Sequence, residues 1–470
     1  MSACQSADEQ TVPGGPRPGT VQVRILARVA GRVLVAGKHT HKATPSLQNA
    51  TGALGGCPPT RVPGGTGVAL AAQSFPWPFW DPRPLLRRPL TQQHPHPADG
   101  VFALGGRARL VALDLARSAA IGLMVLAHVS DQLLAPEQWR TPAGVAYGAI
   151  RGITGPLFFV VSGWSFAAAT LPFWADFRHR GPALSRRLRR AGVLFAWGYA
   201  LTLPWWAPGF PVSAPAEAWE AFFAFGVLQT AATALVGAHL LLALAPSPRA
   251  FAALSALAAL ALVAVAPSAQ SLAPVLLEHP LRGAFWAGKV AGGFPIAPYA
   301  AFFLVGSALG ACARAEGWTS SRAAVVAAVG AGLGFASARL MAPVFARVLR
   351  PDEFWASSPS VFLHRLAAAL LVLSAAFALS RVVRRAPGWL AFGSRRALTF
   401  YVGHMLLLWG TPLTPGLVHL VRPKLELWQS ALVAAGCLVA IWLAARAWTV
   451  TPRWLDAATR VTRRSLSDEN

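Results

Sequence analysis

One stretch of the chain carries ionisable side chains at helical spacing within apolar sequence. The segment RLVALDLARSAAIGLMVLAHVSDQLL, residues 109–134, contains Asp114, Arg117, His128 and Asp131. At 100° per residue, Arg117 and His128 share one helix face about 16 Å apart along the axis, and Asp114 lies within about 60° of both. Asp131 follows His128 by three residues, within side-chain reach. An imidazole can act as a base or a nucleophile near neutral pH, and a guanidinium binds phosphate through a planar fork of donors.

These side chains need surroundings made by protein, because a charge at the centre of a bilayer costs roughly 2.5–3.5 kcal/mol even on a lenient insertion scale. We therefore predict that this face of the helix points into a bundle. The alternative is purely structural, with an Asp114–Arg117 ion pair and His128 as a packing residue near the membrane interface.

Other polar residues fall in or beside apolar segments further along the chain. Arg151 enters the second apolar segment near the depth of His128, either as a site residue or as an interfacial anchor. His404, in LTFYVGHMLLLW, is either a ligand-binding or a packing histidine. The remaining polar residues of this kind are Gln229, Lys289, Arg339, His364 and Arg365. Together they predict a polar, cationic cavity suited to an anionic ligand such as a phosphate-bearing cofactor.

The composition is that of a polytopic membrane protein. The 470 residues are 54% hydrophobic and only 13% charged, with a mean hydropathy of +0.46, whereas soluble domains are about 25% charged. The net charge of +24 comes mainly from arginines in short loops, where they set topology, so we do not expect a nucleic-acid partner. Cysteines occur only at 4, 57, 312 and 437, without a CxxC pair, which predicts neither a disulfide framework nor a metal site.

The chain divides into three predicted regions. Residues 1–104 are rich in Pro and Gly without periodicity and are expected to form a disordered extension. Residues 105–450 are predicted to form an all-α transmembrane bundle of about ten spans, with Pro295 and Pro298 interrupting the sixth. Residues 451–470 form a basic tail. The predicted spans are 110–131, 147–170, 190–207, 221–244, 250–267, 285–312, 323–345, 360–381, 397–414 and 428–449.

The loops between the spans predict the orientation of the bundle. Arginines are concentrated at 178–190, at 384–396 and in the tail, whereas the loop PWWAPGFPVSAPAEAWE has no Lys or Arg. By the positive-inside rule both termini are cytoplasmic. The abundance of Ala, Gly, Pro and Arg is typical of a GC-rich genome, so the expected location is a bacterial inner membrane.

The order of five short motifs resembles the heparan-alpha-glucosaminide N-acetyltransferase catalytic-domain family, in particular its bacterial members, and the related acyltransferase-3 family. The motifs run from the first helix through ITGPLFFVVSGWSFA, FGVLQTAATALVGAHLLLAL and FPIAPYAAFFLVGSALG to SRRALTFYVGHMLLL, covering roughly residues 107–446. Asp114 and Arg117 match a D-x-x-R pattern, and His128 and His404 match the early and late histidines. Ser118 stands where Gly is usual, and Ala127 where Asp is common, so Asp131 is the carboxylate left to orient His128.

The resemblance implies an acyltransferase that moves an acetyl group from cytoplasmic acetyl-CoA, or another acyl-CoA, to a glycan or glycolipid acceptor across the membrane, without a metal. It implies catalytic roles for His128 and His404 and donor binding by Asp114 and Arg117. From their positions near His128, we add Asp131 to the catalytic residues and Arg151 to the donor-binding residues. Membrane lipid is the expected surrounding, and homo-oligomerisation is left open. A transporter or flippase for an anionic solute or a lipid-linked sugar is the main alternative, although no inverted repeat is visible. A scaffold without chemistry is the second.

Overall fold

The computed structural model describes residues 111–174, 182–205, 207, 210, 212–276, 281–286, 293–421 and 423–468. The predicted Pro/Gly-rich extension and Lys289 lie outside these residues. The description that follows concerns the helical bundle alone.

The described chain is almost entirely helical, as expected from its composition. The α-helices are α1 Val111–Leu133, α2 Pro142–Arg151, α3 Thr154–Thr170, α4 Pro182–Thr202, α5 Ala216–Phe223, α6 Val227–Leu244, α7 Pro248–Leu276, α8 Leu281–Phe285, α9 Ile296–Ala315, α10 Ser320–Val348, α11 Pro351–Ser357, α12 Pro359–Leu379, α13 Gly388–Arg395, α14 Ala397–Trp409, α15 Leu417–Leu420 and α16 Leu427–Asp468. Short 3₁₀ helices cover Gln138–Arg140 and Leu171–Phe173. A two-stranded antiparallel hairpin, β1 Gly410–Thr411 with β2 Thr414–Pro415, separates α14 from α15.

Eight helical segments among the described residues are long and apolar enough to cross a membrane. The all-α polytopic class is therefore confirmed, but two of the ten predicted spans do not meet these criteria. The segment 190–207 overlaps α4, whose 21 residues are long enough to span but whose first half contains four arginines, so that its charge excludes it from the eight. The segment 397–414 contains α14, whose 13 residues extend only about 20 Å of the roughly 30 Å hydrocarbon core.

Helix α1 lies at the centre of the site region and packs against α3, α12, α13, α14 and α16. Its far end is fixed by backbone pairing with the loop that precedes α16. The amide of Ala135 donates to the carbonyl of Leu425 (2.9 Å), and the amide of Leu425 donates to the carbonyl of Leu133 (2.9 Å). This pairing holds the end of α1 beside the chain that links α14 to α16.

Helices α3 and α9 touch through their backbones. A Cβ atom on Gly163 would lie 1.9 Å from the carbonyl oxygen of Phe303, and one on Gly306 would lie 2.1 Å from that of Val160. Small residues such as Gly163 and Gly306 permit this close approach of the two helices. Ser307, which is fully buried in α9, donates to the carbonyl of Gly163 (3.3 Å).

Two predicted spans are interrupted. The segment 147–170 is split between α2 and α3 at Gly152 and Ile153. The helix of the segment 285–312 starts only after Pro295, and the backbone of Ala297 is still non-helical (φ −98°, ψ 120°).

Neighbouring elements satisfy the backbone groups freed at the start of α9. The carbonyl of Phe294 accepts a hydrogen bond from the Thr230 hydroxyl of α6, and its amide donates to the carbonyl of Phe225 (2.6 Å). Helix α9 therefore begins beside these prolines at a point where neighbouring elements complete the hydrogen bonding of the backbone.

Candidate functional site

The ionisable residues of α1 lie in two clusters at its opposite ends. We call the cluster of Asp114 and Arg117, with their partners, the arginine end. The second cluster, His128 and Asp131 with their partners, is the histidine end. The rise of a helix separates Arg117 from His128 by about 16 Å.

At the arginine end, a hydrogen-bonded network joins α1 to α3 and α13. Arg117 donates to the hydroxyl of Ser165 (2.5 Å) and to that of Ser394 (3.4 Å). Ser394 donates in turn to the Asp114 carboxylate (2.6 Å), which is 2% exposed. The Arg117 guanidinium is also 3.8 Å from this carboxylate. The Asp114–Arg117 ion pair of the purely structural alternative therefore exists, and two serines extend it to neighbouring helices.

The network holds Arg117 while leaving part of it accessible. Its side chain is 21% exposed. Ser165 accepts from Arg117 and donates to the carbonyl of Val161 (2.7 Å), so its orientation is fixed by its own helix. A half-buried guanidinium held in this way loses little conformational entropy when it binds an anion.

Further arginines collect at the same end. Arg187 of α4 donates to the carbonyl of Ala169 at the end of α3 (3.2 Å). Arg396 and Arg446 both lie over the ring of Phe392, at 4.5 and 5.4 Å from its centroid. Burial, with Arg395 and Arg446 nearby, lowers the pKa of Arg396. The lowered pKa means that the charged form of Arg396 is disfavoured here. A bound anion would stabilise that charged form.

At the histidine end, α1 and α14 bring two imidazoles together. The ring centroids of His128 and His404 are 5.1 Å apart, and those of His128 and Trp409 are 5.7 Å apart with the rings nearly perpendicular (76°). His404 is fully buried. Its Nδ1 lies 2.8 Å from the Phe400 carbonyl, which can only accept, so Nδ1 carries the proton in the neutral ring and Nε2 does not. This Nε2 is buried without a hydrogen-bond partner in the structure.

Asp131 and Arg151 form an ion pair at this end rather than joining the other polar residues. Their closest atoms are 2.9 Å apart. The Arg151 guanidinium lies over the ring of Trp139, 5.2 Å from its centroid. Arg151 is therefore at the opposite end of α1 from Arg117, and the Asp131 carboxylate, expected to orient His128, binds Arg151.

Apolar side chains separate the two clusters. Ile121 and Met124, which lie between Arg117 and His128 on α1, are 5% and 6% exposed. Ile121 packs with Phe400 and Ile441. The described residues therefore form two polar clusters in place of the continuous polar cavity predicted from the sequence. Filling the middle of the bundle with hydrocarbon avoids the cost of burying polar groups without partners.

The other polar residues of the apolar segments have local roles. Gln229 is 1% exposed, and its carbonyl oxygen accepts from the amide of Gly226 (3.2 Å), so it caps its own helix. Arg365 donates to the hydroxyl of Tyr299 (3.1 Å). His364 packs against the ring of Phe335 at 5.2 Å. None of these contacts joins the two clusters of α1.

Several site residues carry no signal in the sequence. Ser394, Trp409 and Trp139 are not predicted, because a serine in a loop or an aromatic residue near an interface is common in membrane proteins. Only the packing of α13 and α14 against α1 identifies the first two. Within the described residues, no group of three or more His, Cys, Asp or Glu side chains could hold a metal ion.

Comparison with known proteins bears on this site. Residues 109–337 match the family model described as heparan-alpha-glucosaminide N-acetyltransferase, catalytic. A search of curated proteins finds no match to this chain. The matched range confirms the resemblance and contains α1, Ser165 and Arg151, whereas Ser394 and His404 lie beyond it.

Proposed function

Because the chain carries a catalytic domain of the heparan-alpha-glucosaminide N-acetyltransferase family over residues 109–337, we propose that it is an integral membrane acyltransferase. The proposed reaction moves an acetyl group from cytoplasmic acyl-CoA to a sugar or another acceptor of the cell envelope. The observation that carries the proposal is the arrangement of α1. This helix holds Arg117 and His128 about 16 Å apart, and His404 packs beside His128.

The arginine end suits the phosphates of the donor. Arg117, Arg396 and Arg446 offer planar forks of donors that remain charged at neutral pH. The ordered network of Ser165, Ser394 and Asp114 holds Arg117 before the donor arrives. Charge-assisted hydrogen bonds from arginine to phosphate are roughly twice as strong as neutral ones.

The apolar stretch between the two ends suits the rest of the donor. Ile121 and Met124 are packed in this structure, so they must move apart to admit the pantetheine arm of coenzyme A. This arm carries no formal charge and can then lie against them where a phosphate cannot. With the phosphates at Arg117, the thioester then reaches His128 along a single helix.

His128 is the proposed general base. The acyl donor supplies an electrophilic thioester carbon. His128 removes the proton from the acceptor hydroxyl or amine, whose oxygen or nitrogen forms a bond to that carbon. The carbon–sulfur bond breaks, and the thiolate leaves with the coenzyme and takes up a proton. A positioned base of this kind contributes typically 10²–10⁴-fold to the rate.

His404 and Trp409 are proposed as positioning residues. His404 is fully buried, and its Nδ1 is held by the Phe400 carbonyl, so its ring cannot turn without losing that hydrogen bond. Trp409 packs on His128 with its edge. These two ring contacts pack against the imidazole of His128, which supports the positioning role proposed for them.

Binding and turnover of acetyl-CoA by the purified full-length protein test this proposal. Acetyl-CoA should raise the melting temperature, because a ligand that binds only the folded state stabilises it. Labelled acetyl groups should then appear on an acceptor drawn from envelope extracts. Arg117→Lys should weaken donor binding about tenfold or more, since Lys keeps the charge but loses the fork.

Arg322→Lys is the matched control, because Arg322 pairs with Glu316 on an exposed surface. It should bind acetyl-CoA as the wild type does. The absence of stabilisation by acetyl-CoA, together with the absence of acetyl transfer, would overturn the proposal. Uptake of a labelled anion into vesicles without acetyl transfer would favour the transporter instead.

A further inference from the structure

The Asp131–Arg151 pair at the histidine end joins the last turn of α1 to the last turn of α2. It lies at the surface, with the Arg151 side chain 41% and the Asp131 side chain 25% exposed. Exposed ion pairs of this kind contribute little to stability. An arrangement that stabilises so little, placed one helical turn from His128, is a candidate for recognition.

The pair is held in a fixed geometry by aromatic residues. The Arg151 guanidinium stacks over Trp139, whose ring is in turn 5.9 Å from that of Tyr147. Tyr147 is buried, so its ring is a fixed surface against which Trp139 packs. A stacked guanidinium keeps N–H groups in its plane available for further hydrogen bonds.

We propose that Asp131 and Arg151, supported by Trp139, form the acceptor subsite and select an uncharged, hydroxyl-bearing sugar. This inference rests on the proposed function and concerns its acceptor alone. The two side chains present a carboxylate acceptor beside a guanidinium donor, and adjacent hydroxyls on a sugar ring can bond to both at once. Because the two charges neutralise each other, the subsite offers no net attraction to a sulfated or phosphorylated sugar.

This placement assigns Arg151 to the acceptor. Arg117 and Arg151 lie at opposite ends of α1, so the two cannot hold the same phosphate group. Asp131 is three residues beyond His128 on the same helix. The Asp131 side chain therefore leaves the helix within about one turn, roughly 5 Å along the axis, of the proposed base.

Equilibrium binding of radiolabelled N-acetylglucosamine and of its 6-sulfate to the full-length protein tests this inference. The wild type should bind the uncharged sugar more tightly. Asp131→Asn leaves the Arg151 charge unbalanced, so the preference should move toward the sulfated sugar by about tenfold, equivalent to about 1.4 kcal/mol. Arg151→Gln should weaken binding of both sugars, and Trp139→Ala should do so to a smaller extent.

Trp205→Ala is the control, because Trp205 is an exposed tryptophan outside this cluster (42%) and should leave binding unchanged. An unaltered preference in Asp131→Asn, or wild-type binding in Arg151→Gln, overturns the subsite. So does the absence of saturable sugar binding by the wild type.

The acetyl-transfer assay separates this inference from the function on which it rests. Sugar binding that follows the predicted pattern without any acetyl transfer would overturn the acyltransferase and leave the subsite in place. Acetyl transfer with the sugar preference unchanged in every variant would overturn the subsite and leave the acyltransferase in place.

Discussion

The imidazoles of His128 and His404 lie 5.1 Å apart, although one belongs to the first helix of the bundle and the other to α14. The structure offers a near-identical histidine for comparison. His239 of α6 is also buried, and its Nδ1 also lies 2.8 Å from the carbonyl four residues earlier. It lies away from the pair, against the ring of Phe166.

Replacing the histidines should separate these roles. His128→Asn should reduce acetyl transfer at least about a hundredfold, because it removes the proposed base. His404→Asn should reduce it less, since His128 remains but loses its packing partner. His239→Asn should leave transfer unchanged. Turnover is followed by thioester loss after membrane yield and acetyl-CoA binding are confirmed for each variant, and normal turnover by His128→Asn would make that imidazole structural.

The serine that joins Asp114 to Arg117 should matter for stability. Ser394→Ala removes the 2.6 Å hydrogen bond to a carboxylate that is 2% exposed. Weakening the pairing of a buried charged group costs about 1–3 kcal/mol, so the thermal midpoint should fall by several degrees. Ser380→Ala is the control, because the hydroxyl of Ser380, at the end of α12, donates to the uncharged carbonyl of Phe377. Equal midpoints for the two variants would show that the network contributes nothing.

The contact between α3 and α9 should tolerate no added side chain. In Gly163→Ala the new Cβ atom would meet the Phe303 carbonyl oxygen at 1.9 Å, so one helix must move. Overpacking of this kind costs about 1–3 kcal/mol or more. Gly237→Ala, where nothing lies within 4 Å of the added atom, should be neutral or stabilising. The yield of monodisperse protein and its melting temperature report both effects.

The orientation of the bundle can be tested by reporter fusion. Arg187 contacts the end of α3 near Ser165, so the start of α4 lies at the arginine end. We predict that this end is cytoplasmic. Reporters fused after Arg187 and within residues 212–216 should give opposite compartment signals. Matching signals would contradict a membrane-spanning α4 and with it the ten-span topology.

The membrane character and most helices follow from the sequence because apolar length and loop charge are local properties. The helix break at Pro295 is predictable for the same reason, since proline acts on its own backbone. The predicted span begins in the middle of α4, where the apolar sequence starts. In the structure the helix begins earlier and includes the arginines before that sequence. Its first turns therefore lie outside the predicted segment.

The site itself is only half predictable. Helical periodicity places Asp114, Arg117 and His128 on one face, but it cannot distinguish a continuous cavity from two clusters with Ile121 between them. The partners Ser394, His404 and Trp409 come from elements nearly 300 residues further along the chain. Such contacts depend on tertiary packing, which the local spacing of residues in the sequence does not reveal.

The backbone contacts between α3 and α9 also determine which parts of the bundle can move. Gly163 packs against Phe303, and Gly306 packs against Val160. The two helices cannot slide or separate without opening a void between them, so we expect them to move as one rigid unit. Helix α14 is different. It has 13 residues and is followed by Gly410, the first residue of the hairpin, whose φ is +84°. A conformational change that admits a substrate to His128 should therefore displace α14 and its hairpin, while α3 and α9 stay in place.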